Sequence, residues 1–330
     1  MAKSPASKKN IASSRPASSR PATQAAKRAP ARPPAKSSSG RPAGLFTWLA
    51  IGLVVVIVAT LVIIKVASGG PATGGKGTFT ATDPAMVAQL TGVPMSVFNT
   101  VGVTSSVEGV TPPIAVSGQP PLTARNSSGA TVPEVLYIGA EYCPYCAAQR
   151  WSTIIALSRF GTWSNLGNMT SYAHDVYPNT PTFTFAKATY KSKYLVFDSV
   201  EEYRNYLNAA GTNYQVLQTP TKEQVALIEK YDTSKYIKGL TTSDGNPIPF
   251  MTFDNKFLVS GASYSPDTLT NLSRSAIATG LSDPTSPVTD AIIASANYQS
   301  AAICSLTNNQ PSNVCTSSGV MAAKTAMKIK

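Results

Sequence analysis

Residues 134–151 read EVLYIGAEYCPYCAAQRW, and the fold turns on how that stretch is read. Val135 to Ala140 is a short apolar run without a charge, the profile of a buried central strand. Directly after it the period changes. Ala147, Trp151, Ile154 and Ile155 recur at helical spacing, Arg159 falls in the last turn and Gly161 is a stop signal. Cys143 and Cys146 therefore sit at a strand-to-helix junction, with Pro144 in the first helical turn, where its missing N–H wastes no donor.

A helix N-terminus carries unpaired N–H groups and the positive end of the macrodipole, so it favours a negative charge such as a thiolate. This makes Cys143 the candidate attacking sulfur, expected exposed and with a lowered pKa, and Cys146, one turn further in, the candidate resolving sulfur. A CxxC pair also serves zinc sites and structural clips. Zinc asks for four ligands, and Cys304, Cys315 and His174 are the remaining cysteines and histidine of the chain. Copper on Cys143, Cys146 and His174 is a weaker alternative, since a lone His in the polar stretch SYAHDVYP is ordinarily a surface residue. The expectation is a redox pair with no metal and no cofactor.

Outward from this centre, Asp83-Pro84 reads as a helix start before AMVAQL, and the Pro-, Gly- and Ser-rich run up to Thr131 reads as loops with one hairpin. Residues 182–188 and 194–197 are strand-like. Helices are expected at 200–209 and 221–236, the latter opened by a Thr221/Gln224 capping box. NPIPFMTFDNKFLVSGASY, 246–264, reads as strand, Asp254-Asn255 turn and strand, closing at Gly261. Helical segments are expected at 269–278 and 288–302.

Strand, CPYC, helix and a later strand pair introduced by a proline together resemble the thioredoxin superfamily, most closely in VLYIGAEYCPYC and IPFMTFDNKFLVSGA. The resemblance covers roughly residues 134–275. It implies an α/β thioredoxin-like fold, with a helical insertion at about 199–239 and a helical C-terminal extension over 276–330. It also implies that Pro249 is cis and faces the cysteine pair, and that the backbone of Ile248 pairs with a substrate peptide. Tyr145, Pro144 and Glu141 then serve as support around the pair. One departure is mechanistic: Tyr137 stands where many thioredoxins bury an Asp, six residues before the first Cys, which leaves water, Glu141 or a group the sequence does not identify to move the Cys146 proton. Pro-Tyr between the cysteines is typical of glutaredoxins, but nothing else marks a glutathione site. The whole chain is also similar to a domain-of-unknown-function family of membrane-anchored thioredoxin-like proteins.

The N-terminal part is of another kind. Residues 1–42 carry ten basic residues and no acidic one in an Ala-, Pro- and Ser-rich background, so the remaining 288 residues hold 18 basic against 16 acidic. Such a tail has little to bury and is expected to be disordered. LFTWLAIGLVVVIVATLVII, 45–64, is uncharged and as a helix roughly 30 Å long, the thickness of a bilayer core. The reading is a single transmembrane helix over 43–65. The positive-inside rule makes the tail cytoplasmic and the rest of the chain extracytoplasmic. The tail is then a topology determinant rather than a nucleic-acid binder. Residues 66–80 are Gly-rich and read as a tether, leaving 81–330 as the outer domain.

Outside the cytoplasm cysteines tend to be oxidised, and four of them admit three pairings. Nearest-neighbour pairing joins Cys143 to Cys146 and Cys304 to Cys315, the latter as a structural staple, with an electron relay to CPYC as the alternative. The expectation is a membrane-anchored thiol-disulfide oxidoreductase whose partners are extracytoplasmic client proteins and a membrane redox protein. The competing expectation is a binding module in which the CPYC pair is an inert clip.

Overall fold

The computed structural model describes residues 79–103, 109–241 and 245–330. The tail, the apolar run at 45–64 and most of the tether lie outside the described residues, and no helix within them is long and apolar enough to cross a membrane. The last two residues of the expected tether already belong to the fold: Thr80 O accepts from Asn168 N at 2.8 Å, and Phe79 lies against Gly167.

The described chain is mixed α/β. Helices α1 (Pro84–Thr91) and α2 (Met95–Val101) lead into β1 (Ile114–Ala115), β2 (Thr123–Arg125) and β3 (Thr131–Gly139), and α3 (Pro144–Ser158) follows. Next come β4 (Thr162–Ser164), β5 (Gly167–Thr170), β6 (Pro181–Thr184), β7 (Thr189–Lys191), β8 (Val196–Glu201), β9 (Tyr203–Leu207) and β10 (Tyr214–Val216). The chain then forms α4 (Lys222–Tyr231), β11 (Phe250–Phe253), β12 (Phe257–Ser260), α5 (Arg274–Gly280), α6 (Pro287–Leu306), α7 (Ser312–Cys315) and α8 (Ser318–Ala326).

The main sheet runs β1-β12-β11-β3-β2, with β8 also paired to β3. β3 is its spine, parallel to β8 over 134–139 and antiparallel to β11 over 135–138. Its side chains alternate as a strand requires: Leu136 and Ile138 pack with Val200, Ile228, Tyr231 and Phe250 on one face, while Val135 and Tyr137 join the larger core with Trp151 and Ile155 on the other. The β11–β12 turn is at Asp254-Asn255, both with positive φ (53° and 55°), the backbone that two-residue hairpin loops demand and Asp and Asn tolerate. α3 stops where expected. A Cβ at Gly161 would lie 2.4 Å from Lys191 O, so only glycine lets β7 close against this corner.

Three expectations are corrected. Residues 200–209 are not a helix: Val200 and Glu201 end β8, and Tyr203–Leu207 pairs with β10 as a hairpin. The reason is tertiary, because Glu201 is drawn into the core by Arg150 and stays in strand register with Gly139, overriding a local helical pattern. The insertion at about 199–239 is therefore a hairpin followed by α4, which is capped as expected by Thr221 and Gln224 but ends at Tyr231. Residues 269–278 are split, since Asn271 takes φ 61° after a short 3-10 turn and the helix restarts behind Ser273 as its cap.

The C-terminal extension is a layer of the core. α6 packs along α3, and only Tyr145 of the first fourteen residues of α3 is exposed. Its polar side chains are satisfied there: Ser295 Oγ donates to Ser152 Oγ at 2.9 Å, Gln299 Nε2 to Ser152 Oγ at 3.0 Å, and Thr153 Oγ1 to Gln299 Oε1 at 3.0 Å. Cys304 and Cys315 are joined by a disulfide that ties α6 to α7.

Candidate functional site

The site is built where β3 hands over to α3. Cys143 is the N-cap of α3 with extended backbone (φ −75°, ψ 122°), and its sulfur accepts from Cys146 N at 3.3 Å, one of the donors a helix start leaves unpaired. Pro144 occupies the first helical position. From the opposite side Cys143 Sγ donates to Ile248 O at 3.6 Å, bringing together two positions that are 105 residues apart in the chain. The Ile248–Pro249 peptide bond is cis, and Pro249 O accepts from Gly261 N at 2.9 Å to hold the entry to β11.

Cys143 and Cys146 are free thiols. The two sulfurs differ in their surroundings. The hydrogen bond from the Cys146 thiol, the Cys146 and Tyr145 N–H groups and the Arg150 charge hold Cys143 below the ordinary thiol range, against the opposing effect of burial. Cys146 is pushed well above that range, first by complete burial and then by the hydrogen bond it donates to Cys143. Polarity of this sort suits an attacking sulfur and a resolving sulfur. Exposure departs from expectation: Cys143 is only 5% exposed and Cys146 not at all. The Ile248 carbonyl rests on Cys143, and the neighbouring Tyr142 is held in a stack on Tyr214 of β10 (centroids 3.8 Å apart). Tyr145, 40% exposed and edge-on to Tyr177, forms the open side of the site.

Below the pair lies a buried charged group that sequence reading missed. Arg150, four residues after Cys146 and so on the same face of α3, donates to Glu201 through Nε (2.8 Å) and Nη2 (2.5 Å), and through Nη2 to Ala140 O at 2.7 Å. Both side chains are fully buried. Burial works against the arginine charge, but the Glu201 carboxylate outweighs it and keeps Arg150 protonated. Glu201 Oε1 also accepts from Phe185 N at 3.2 Å. Tyr137 is wholly buried with its hydroxyl beside Cys146, in no hydrogen bond of good geometry. Glu141 is 2% exposed, its Oε2 has no partner, and burial lifts its carboxyl to about 6 although a Thr184 hydrogen bond opposes the rise.

Among the described residues no three His, Cys, Asp or Glu side chains are grouped to hold a metal ion. His174 instead packs edge-on against Tyr172, and the copper alternative lacks its third ligand. The signal that could have found Arg150 is its spacing of four from Cys146, but its partner Glu201 lies in a segment that reads as helical.

Residues 122–305, more than half of the chain, match the domain of unknown function DUF929. The match takes in β3, the cysteine pair, the Ile248–Pro249 corner and all but the last residue of α6. Comparison with curated proteins and with solved structures gives no match.

Proposed function

The chain belongs to the DUF929 family, and we propose that it is a thioredoxin-like thiol-disulfide oxidoreductase acting on protein cysteines through Cys143 and Cys146. The observation that carries the reading is the asymmetry of the pair. One thiol, at a helix N-terminus under a peptide carbonyl from the opposite loop, has a lowered pKa, and its partner one turn inside is buried with a raised one. The thioredoxin-like fold is part of the proposal. It is supported by the parallel β3–β8 pair, the CPYC helix between them, and the β11–β12 hairpin whose proline-bearing entry meets the first cysteine.

In turnover, the Cys143 thiolate attacks a client disulfide, one client sulfur leaves as thiolate, and a mixed disulfide to Cys143 forms. Cys146 then attacks Cys143 Sγ, the second client sulfur departs, and the enzyme is left oxidised. The reverse sequence oxidises a client dithiol, and the direction is set by the relative potentials of enzyme and partner. Membrane anchoring through the apolar run at 45–64, with the domain outside the membrane facing extracytoplasmic clients and a membrane redox partner, completes the proposal.

A second reading, a binding module whose cysteine pair is a clip, draws on the 5% exposure of Cys143. The two separate on trapping. With insulin as the disulfide probe, Cys146→Ser should accumulate a mixed disulfide on nonreducing gels and Cys143→Ser should accumulate none. Equal, negligible adducts in both variants would favour the clip.

A further inference from the structure

Resolution of a mixed disulfide requires Cys146, a fully buried thiol, to act as a thiolate, and a buried anion is tolerated only if donors and counter-charge are already in place. The Tyr137 hydroxyl lies beside Cys146 but makes no hydrogen bond of good geometry, and Arg150, whose charge acts on Cys146, keeps a buried Nη1 with no hydrogen-bond partner. An unpaired buried donor costs about 1–3 kcal/mol, so the Tyr137 hydroxyl beside this sulfur calls for an acceptor that appears during the reaction. A neutral thiol is a weak acceptor and a thiolate a strong one.

The geometry is held from three elements. Tyr137 comes from β3, with its hydroxyl over Gly139, where a Cβ would lie 2.3 Å away. Arg150 comes from α3, its guanidinium 5.9 Å from the Tyr137 ring centroid. Glu201 comes from β8 and fixes Arg150 by two hydrogen bonds, leaving Nη1 uncommitted. The titratable groups acting on Cys146 or on its two donors are Cys143, Tyr142, Tyr137, Arg150 and Glu201, with Glu141 reaching it through its interaction with Arg150 and Glu201. Arg150 is the one cation among them.

We propose that Tyr137 is a catalytic hydrogen-bond donor that receives Cys146 as a thiolate during the resolving step, with Arg150, positioned by Glu201, as the buried counter-charge. The inference rests on the oxidoreductase reading. In the dithiol Cys146 is hydrogen-bonded to Cys143. Once Cys143 is tied up in a mixed disulfide that acceptor is gone, and the Tyr137 hydroxyl stabilises the sulfur as it ionises. The Cys146 sulfur bonds to Cys143 Sγ, the bond from Cys143 Sγ to the client sulfur breaks, and the client leaves with the electron pair. The proton lost by Cys146 ends on the departing thiol or, for a weakly basic leaving group such as thionitrobenzoate, in solvent, so no further reactant is needed.

Ellman's reagent separates the steps in single turnover. The first thionitrobenzoate released reports attack by Cys143, and the second reports attack by Cys146 on the mixed disulfide. In Tyr137→Phe the ratio of the second rate to the first should fall about tenfold at pH 7, the loss of one hydrogen bond to a charged group. The pH profile of the second step should also move upward, which loss of packing alone would not do. Arg150→Lys, which keeps the charge and leaves Tyr137 untouched, should slow the second release in the same sense, giving a readout even if the phenylalanine variant folds poorly. A second step of unchanged rate and pH profile in a folded Tyr137→Phe variant would overturn the assignment of Tyr137. A wild-type protein that releases no first thionitrobenzoate would overturn the oxidoreductase reading itself, and this inference with it.

Discussion

The chain holds two cysteine pairs that are both buried and both near helix ends, yet they are in opposite chemical states. Cys304 and Cys315 are bonded, with Cα atoms 5.6 Å apart, where α6 meets α7 and α8 among Ile303, Val314 and Val320. Cys143 and Cys146 are unbonded and sit against a helix N-terminus, a peptide carbonyl and a buried arginine. Short spacing in sequence is common to both, so spacing does not tell a staple from a working pair. The difference lies in whether the fold supplies polar groups that distinguish one sulfur from the other, as it does at CPYC.

The sharpest way to break the comparison is to remove the charge beneath CPYC. Arg150→Met leaves Glu201 buried without its partner and should cost about 3–5 kcal/mol in denaturant unfolding, whereas Arg150→Met with Glu201→Leu should recover most of that loss. If the single variant is as stable as wild type, the ion pair is not what holds the floor of the site.

Removing the other pair tests the opposite half. Cys304→Ser with Cys315→Ser opens a loop closed over a sequence separation of 11 and should lower stability by about 3 kcal/mol on the chain-entropy account. Disulfide exchange at CPYC, measured below the new melting temperature, should be nearly unchanged. Lost exchange in a folded variant would make this pair a relay and abolish the contrast.

A smaller effect belongs to Glu141. Its folded pKa of about 6 lies above the ordinary value of 4.5, so its protonated form is favoured in the fold. That contribution is fully present below pH 4.5 and is lost as pH rises through 6, on the order of 2 kcal/mol for a shift of this size. Glu141→Gln should therefore remove that part of the decline when unfolding free energies are compared between pH 4 and 7. A variant whose pH dependence overlays wild type would show that the carboxyl ionises freely.

How much of this was legible in the sequence follows from how local each feature is. The β3–CPYC–α3 corner, the Asp254-Asn255 turn, the Thr221/Gln224 cap and the Cys304–Cys315 bond each depend on one continuous stretch of sequence and are legible in it. Arg150 and Glu201 are 51 residues apart, and the pair could be seen only once β8 was known to lie parallel to β3. The same pairing turned 200–209 from an expected helix into strand. Tyr137 was noted as a departure from the resemblance, but its unpaired hydroxyl appears only with the side chains packed. The burial of Cys143 was missed because the Ile248 carbonyl and the Tyr214 ring that crowd the site come from distant loops and hairpins.

The central claim is that Cys143 is an activated thiol and not half of a clip. The most direct measurement is the pH dependence of its reaction with iodoacetamide in the reduced protein, with the modified cysteine identified by peptide mass. The account predicts that Cys143 is modified ahead of Cys146, with a midpoint below that of an ordinary thiol near ~8.5. Modification with a midpoint at or above the ordinary value, or no preference between the two sulfurs, would contradict it.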